Sequence, residues 1–336
     1  MESEKIAVVL LNLGGPQNLD QVEDFLFSLF YDKTIINLPK PIRWLLAKLI
    51  SKLRKKKSQK IYSLIGGKSP ILEETTKQAK ALEDLLLTEK DNFKVYICMR
   101  HAKPDIKDLE KEIKLYNPKK IVCIPMYPQF SYTTTYSAVE EIKNTFKDIE
   151  IKTIGCFYSC PNFINAQTEL IKQALERVEN ISNTTIVFSA HSLPVRIIEQ
   201  GDPYQSQIEK TVKLVMTSFS NIKHIITYQS KIGPVKWLTP NTKHIINKLN
   251  QEKQEIVVVP ISFVSEHSET LVELDIDYKQ IAKEANYIRV PTVGTNKNFI
   301  TCLKNLVKIS LERPKNITSF EGRRLCEDKF KYCICK

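Results

Sequence analysis

Ile256–Tyr278 reads IVVVPISFVSEHSETLVELDIDY, and two different structures are written into it. The first five residues, four of them β-branched and closed by Pro260, have the continuous apolar character of a strand buried on both faces of a parallel sheet. Ser265-Glu266-His267 then reads as a helix start, with acid near the positive end of the helix dipole. Beyond it Glu269, Glu273 and Asp277 recur every four residues, which places three carboxylates on one helix face. Like charges at that spacing repel, so the row is either a solvated helix face or a device for handling cations or protons. It begins at the carboxyl end of a strand, where open α/β sheets bind their ligands.

The chain around this stretch has 336 residues, 42% hydrophobic and 26% charged, with a formal charge of +12. That is enough chain for two domains or one large one. The basic excess suits an anionic small molecule or an anionic membrane surface. Without a zinc finger or an RNP-type sequence, nucleic acid is not an expected partner. No basic n-region with an apolar core opens the sequence, and no apolar run approaches the ~18 residues of a spanning helix. A cytoplasmic protein is expected, at most peripheral on the inner membrane face.

Strands predicted at 6–11, 93–99, 120–124, 149–156, 184–189, 224–229 and 287–290 alternate with helical segments, the pattern of parallel α/β units. Leu11-Asn12-Leu13-Gly14-Gly15-Pro16 ends the first strand with glycines that let a ligand approach the backbone, but it is not the GxGxxG of a dinucleotide site. Ile121-Val-Cys-Ile-Pro125 echoes Ile256-Val-Val-Val-Pro260, and each precedes an aromatic, a serine and a helix. Two similar α/β halves explain the echo, and the cleft between them is then the expected site. His191, in Ser189-Ala-His-Ser-Leu-Pro194, falls at a strand end of the second half, as Glu269 does. Histidine can take a proton near neutral pH, and carboxylates can pass it on or hold a divalent metal.

Arg43–Lys60 carries eight basic residues and no acid. Ile42, Leu45, Leu46, Leu49, Ile50 and Leu53 recur there at helical spacing beside Trp44. The segment reads either as an interfacial amphipathic helix or as a core-facing helix with a solvated basic loop.

LNLGGP at 11–16, IGGKSP at 65–70, YPQFS at 127–131, SAHSLP at 189–194, GDPY at 201–204, QSKIGPVKWL at 229–238 and the Glu266–Tyr278 block together resemble the ferrochelatase family, collinearly from about residue 6 to 311. The resemblance implies two Rossmann-like domains of the chelatase fold, each a parallel β-sheet flanked by helices, and insertion of Fe(II) into protoporphyrin IX, the last step of protoheme synthesis. The division expected is 1–157 for the first domain with a porphyrin lip, 158–298 for the second with the catalytic histidine and acidic helix, and 299–336 for a terminal helix and tail. By the same resemblance His191 and Glu269 are catalytic and metal-binding. Glu266, His267, Glu273 and Asp277 form a proton or metal path, and Leu13, Tyr62, Ser69, Arg100, His101, Trp237 and Phe263 contact the porphyrin. Fe(II) is a substrate here. A non-catalytic porphyrin- or heme-binding protein, and a chelatase acting on coproporphyrin, are the alternatives.

Some relatives hold a [2Fe–2S] cluster on one internal and three C-terminal cysteines. In the animal pattern the internal cysteine follows YPQ(F/Y)S, where this chain has Tyr132, and Cys326, Cys333 and Cys335 lack the animal spacing. A cluster is therefore not expected. Were one present, its fourth ligand would be Cys156, Cys160 or Cys302.

Overall fold

The computed structural model describes residues 4–231 and 233–335. Every strand pairing is parallel. In the first half, β1 (Lys5–Asn12), β2 (Asn92–Met99), β3 (Lys120–Pro125) and β4 (Glu150–Cys156) lie in the order β2-β1-β3-β4. In the second, β5 (Thr184–His191), β6 (Lys223–Gln229), β7 (Glu255–Val259) and β8 (Tyr287–Arg289) lie in the order β6-β5-β7-β8. The two orders are the same when each half is counted from its own first strand. The echo between 121–125 and 256–260 thus joins equivalent third strands, β3 and β7. It extends past the strands as well. Each leads to a helix with i→i+5 hydrogen bonding, Tyr132–Tyr136 in one half and Glu269–Tyr278 in the other.

Burial explains the apolar runs. Along β1, Val8 and Leu10 face a core with Leu82, Leu86, Phe299 and Leu303, while Ala7, Val9 and Leu11 face Leu109, Ile113, Val139 and Ile142 on the other side. Successive side chains point to opposite faces, and helices cover both, so no polar alternation survives in the sequence. Each fully buried Leu, Ile or Phe contributes roughly 1.5–3 kcal/mol. In the second half Ile186 and Phe188 enter one core and Val187 the other.

Two helices tie the halves together. Pro161–Leu175 gives Phe163 and Ala166 to the first core and Ile171 and Ala174 to the second. Lys297–Glu312 buries Phe299, Cys302, Leu303, Leu306 and Val307 in the first core. The chain then adds β9 (Ile317–Ser319) parallel to β4 at the edge of the first sheet. The helix Thr242–Gln251, this last strand and the packed tail are elements absent from the sequence reading.

Lys40–Ser63 is one helix, and most of its apolar stripe faces outward. The buried side carries Arg43, Ala47, Ser51, Ser58 and Tyr62 against the helix Val22–Tyr31. Ile42, Trp44, Leu45, Leu49 and Leu53 are 51%, 50%, 64%, 52% and 73% exposed. Small side chains such as Ala47 and Ser51 line the packed face. Leu46 and Ile50 are part-buried, Ile50 against the same cluster, so most but not all of the stripe faces solvent.

Candidate active site

In a sheet ordered β6-β5-β7-β8 the strand order reverses between β5 and β7, and the crevice at the carboxyl ends of those two strands is where such sheets bind ligands. His191 is the last residue of β5. Its backbone is fixed from both sides: its N–H donates to Ser262 Oγ just past β7 (3.1 Å), and its carbonyl accepts from Tyr204 Oη (3.0 Å). Its Nδ1 lies 2.8 Å from Glu269 Oε2. The two side chains are 35% and 28% exposed, open to a ligand but shielded from bulk water. Burial alone would disfavour charge on the ring, but the Glu269 charge, its hydrogen bond and the Glu273 charge outweigh it and raise the His191 pKa. Burial pulls Glu269 the other way, yet His191 holds its carboxyl down to about 2.

The acidic row is present but is built differently from the α-helix expected. The helix begins at Glu269, not at Ser265-Glu266-His267. Ser265 Oγ instead donates to Gln78 (3.0 Å), and His267 N–H to Thr270 Oγ1 (3.0 Å), forming a turn before the helix. The helical turns themselves are of the wide i→i+5 type, which are rare and recur at functional sites. Four residues slightly exceed one α turn and slightly undershoot one π turn, so the carboxylates share a face either way. Side chains from the sheet satisfy carbonyls of this helix: Gln229 donates to Glu269 O (3.2 Å) and Tyr287 to Leu274 O (2.7 Å). Gln229 also donates to Glu273 Oε2 (3.1 Å), as does Ser230 Oγ (2.7 Å). Burial and the neighbouring Glu269 charge push the Glu273 carboxyl up to about 7. Asp277 continues the row to the exposed surface.

Glu266 is drawn out of the row. Arg289, at the end of β8, pairs with it at 2.6 Å and with Asp275 at 2.6 Å, and Thr292 N–H donates to it (2.9 Å). Burial works against the Glu266 charge, but Arg289 keeps the carboxyl below its usual range. His267 stays by the centre: its Nε2 is 3.9 Å from Glu269 Oε2 and its ring packs 4.5 Å from that of Phe263. Trp237 bridges to Pro194 beside His191, and its buried indole N–H has no hydrogen-bond partner.

The other porphyrin-contact candidates come from the first half. Tyr62 is buried, with its hydroxyl against Ser268 and near Glu269, and burial pushes its pKa up to about 12. Leu13 and His101 are joined by a backbone hydrogen bond of 3.0 Å. Gly14 comes next at φ +86°, a conformation that favours glycine, and a Cβ there would collide with Ala102. Ser69 packs against Gly15. Arg100 is committed within the wall, at 2.8 Å from Asp32, 3.2 Å from Glu141 and 2.8 Å from Ser137 Oγ. Burial, with Arg100 beside it, drives His101 down to about 3, so this ring is neutral.

Gln229, Ser230, Ser262 and Tyr204 were missed by the sequence reading. Gln229, Ser230 and Tyr204 stand in segments that carry the family resemblance, but only the sheet register, with Gln229 directly beside His191, shows what Gln229 does.

A family model of ferrochelatase matches residues 5–311. The chain belongs to the ferrochelatase family. Ferrochelatase of Rickettsia bellii is 49% identical over 100% of this chain and 96% of its own length, and that of Rickettsia felis is 50% identical over 99% and 98%. Ferrochelatase of a Wolbachia strain of Drosophila simulans is 48% identical over 90% and 98%. Among solved structures, SirB from Bacillus subtilis with Fe3+ aligns with a TM-score of 0.57 at 11% identity, covering 92% of this chain and 96% of SirB. That identity speaks for the chelatase fold alone. Family membership covers the two halves and the acidic helix. The tail beyond residue 311 lies outside the family match, and it carries three thiols.

Those thiols are not loose. Cys326, Cys333 and Cys335 are buried, as is Cys156 at the end of β4. Cys335 lies against Cys156 and Cys333, and Cys333 against Cys326. Cys160 and Cys302 pair with each other elsewhere, 3.0 Å apart. Among the described residues no three His, Cys, Asp or Glu side chains form a ready single-ion site.

Proposed function

We propose that this chain inserts Fe(II) into protoporphyrin IX, releasing two protons, with His191 as the base. The observation that carries the reading is the His191–Glu269 pair at the carboxyl end of β5, with a second carboxylate titrating near neutrality behind it. Metallation must strip two pyrrole N–H protons. Glu269 occupies Nδ1, leaving Nε2 for the ring nitrogens, and its charge stabilises the imidazolium that forms. Glu273, able to gain and lose a proton around pH 7, passes protons toward Asp277 and solvent or meets the ion coming in. Oxygen and imidazole donors hold Fe(II) without the grip of thiolates. Phe263, His267 and Trp237 on one side, and Leu13, Tyr62 and Ser69 on the other, line the porphyrin slot. Anaerobic incubation with Fe(II) and either protoporphyrin or coproporphyrin, monitored by Soret and Q-band changes, tests this. Metallation of protoporphyrin with the higher kcat/KM is the expected result. Binding of porphyrin without metallation would leave a sequestering protein, and preference for coproporphyrin the other chelatase.

The Lys40–Ser63 helix supports peripheral docking on the inner face of an anionic membrane, from which an apolar porphyrin is taken. Ile42, Leu45, Leu49 and Leu53 form its exposed stripe. Lys48 and Lys55 are used within the fold, both on Glu23, while Lys52, Lys56, Lys57 and Lys60 are exposed and available for lipid phosphate. No described helix is long and apolar enough to cross a membrane.

The thiols support a [2Fe–2S] site, against the expectation drawn from their spacing. Such a cluster takes four cysteines spread over two irons, so a file of neighbouring thiols suits it better than a single-ion cage. Gly155 fits as well, because a Cβ there would strike Cys335 Sγ. Cys156, Cys326, Cys333 and Cys335 would be the ligands, and the bound group would supply a one-electron redox centre. Visible absorption and the EPR signal of the dithionite-reduced protein test it, with Cys335→Ser expected to abolish both.

A further inference from the structure

The outer end of the acidic row opens into a cavity of about 740 Å³. Glu273 and Asp277 form part of its lining, and Lys57, Lys231, Lys243 and Lys283 stand around them. The lysines come from four separate places: the Lys40–Ser63 helix, the turn after β6, the Thr242–Gln251 helix, and the segment after the acidic helix. None of the four is within ion-pair distance of a carboxylate among the described residues, whereas Lys48, Lys55 and Lys248 nearby are paired.

The charge pattern narrows the ligand. A bare divalent cation entering here meets four ammonium groups. A bare polyanion meets two carboxylates. A ligand with a cation at its centre and carboxylates at its rim satisfies both sets, placing the metal toward Glu273 and Asp277 and its outer oxygens toward the lysines. Glu273 also connects the cavity inward, since Gln229 bridges its carboxylate to the backbone of Glu269, the partner of His191.

We propose that this cavity receives the metal as a small polycarboxylate chelate, with the lysines holding the chelator while the acidic row withdraws the ion. The proposal rests on the reading of the row as a metal route. It adds the form in which the metal arrives, and makes the lysine ring a device that discriminates chelated from hydrated ion. The chelator leaves as a free polyanion, which Glu273 and Asp277 then repel, so delivery and release use the same two groups.

The test uses the full-length enzyme and a Lys243→Gln/Lys283→Gln variant, both positions being exposed and outside the catalytic centre. Calorimetric titration with Co(II) citrate, citrate alone and hydrated Co(II) gives binding without turnover. Anaerobic kinetics then compare Fe(II) supplied as its citrate complex with hydrated Fe(II). Two lost surface charge contacts predict about a tenfold weaker binding of Co(II) citrate and a similar rise in KM for Fe(II) citrate. The affinity for hydrated Co(II), the KM for porphyrin and kcat with hydrated Fe(II) are expected to stay as in the wild type. Unchanged affinity and KM for the citrate complexes would overturn the proposal. So would a rise in porphyrin KM instead, because the lysines would then serve the substrate's own carboxylates. Glu273→Gln separates this from the underlying reading. If that variant handles hydrated Fe(II) as well as the wild type, the row is not the metal route and both fall. If it is impaired while the lysine variant is not, only the chelate proposal falls.

Discussion

Glu273 is the residue whose state depends most on its surroundings. In the unfolded chain its carboxyl titrates near the usual value, while in the fold burial and the Glu269 charge hold it up to about 7. A folded pKa above the unfolded one means that the native state keeps the proton more tightly. The stabilisation is complete below the unfolded pKa and disappears as pH rises through about 7. The wild type should therefore lose melting temperature relative to Glu273→Gln between pH 5 and pH 8, and a flat difference across that range would mean that the carboxyl is not perturbed. Within the row, Glu269→Gln should be severe and Asp277→Asn mild, because Glu269 contacts His191 and Asp277 lies at the surface. Equal, small effects on metallation at 269, 273 and 277 would make the row an ordinary solvated face. The residue identities at this scale were legible. The strand ending at His191 and the four-residue recurrence stand in the sequence, but the Glu266–Arg289 pair does not, because 23 positions separate its members.

At the scale of elements, two helices show features that periodicity leaves open. The acidic helix is held in wide turns by Gln229 and Tyr287, and by Arg289 through Asp275. A period of four does not distinguish α from π turns, and the holding groups lie on other strands, so no local pattern could show it. Arg289→Met leaves Glu266, 18% exposed, and Asp275, 34% exposed, without their partner. It should cost roughly 3 kcal/mol of stability in urea unfolding, and a loss under ~0.5 kcal/mol would mean that the pair is not holding the helix. In the Lys40–Ser63 helix the spacing of the leucines was legible but their direction was not. Which face turns inward was decided by Val22, Phe25, Leu26 and Phe30 of the preceding helix packing on the side of Ala47 and Tyr62. Co-sedimentation with anionic vesicles should rise with anionic lipid and fall with salt. Lys52→Gln/Lys56→Gln/Lys60→Gln should weaken it by several-fold, since each cation near such a surface contributes about 1 kcal/mol. Wild-type indifference to these vesicles at low salt would mean that the helix serves no membrane.

Across the whole molecule, the repeat of two parallel sheets in one strand order places equivalent strand ends in both halves, and in the second half the ends of β5 and β7 bring His191 and the acidic helix together. The echo of Ile121–Pro125 in Ile256–Pro260 made that duplication visible from the sequence. The tail was not visible in this way: β9 has three residues, too few for a periodic signal, and its burial depends on the edge of β4 being open. In the proposed reading the first half supplies one wall of the slot, the second half the proton chemistry, and that chemistry depends on His191 at the end of β5. The direct measurement is anaerobic Fe(II) insertion by purified His191→Ala, with unchanged circular dichroism and melting temperature showing that the fold is kept. Loss of a positioned base predicts a rate lower by roughly 10²–10⁴ with porphyrin affinity near that of the wild type. A folded His191→Ala protein that turns over at close to the wild-type rate would contradict the assignment.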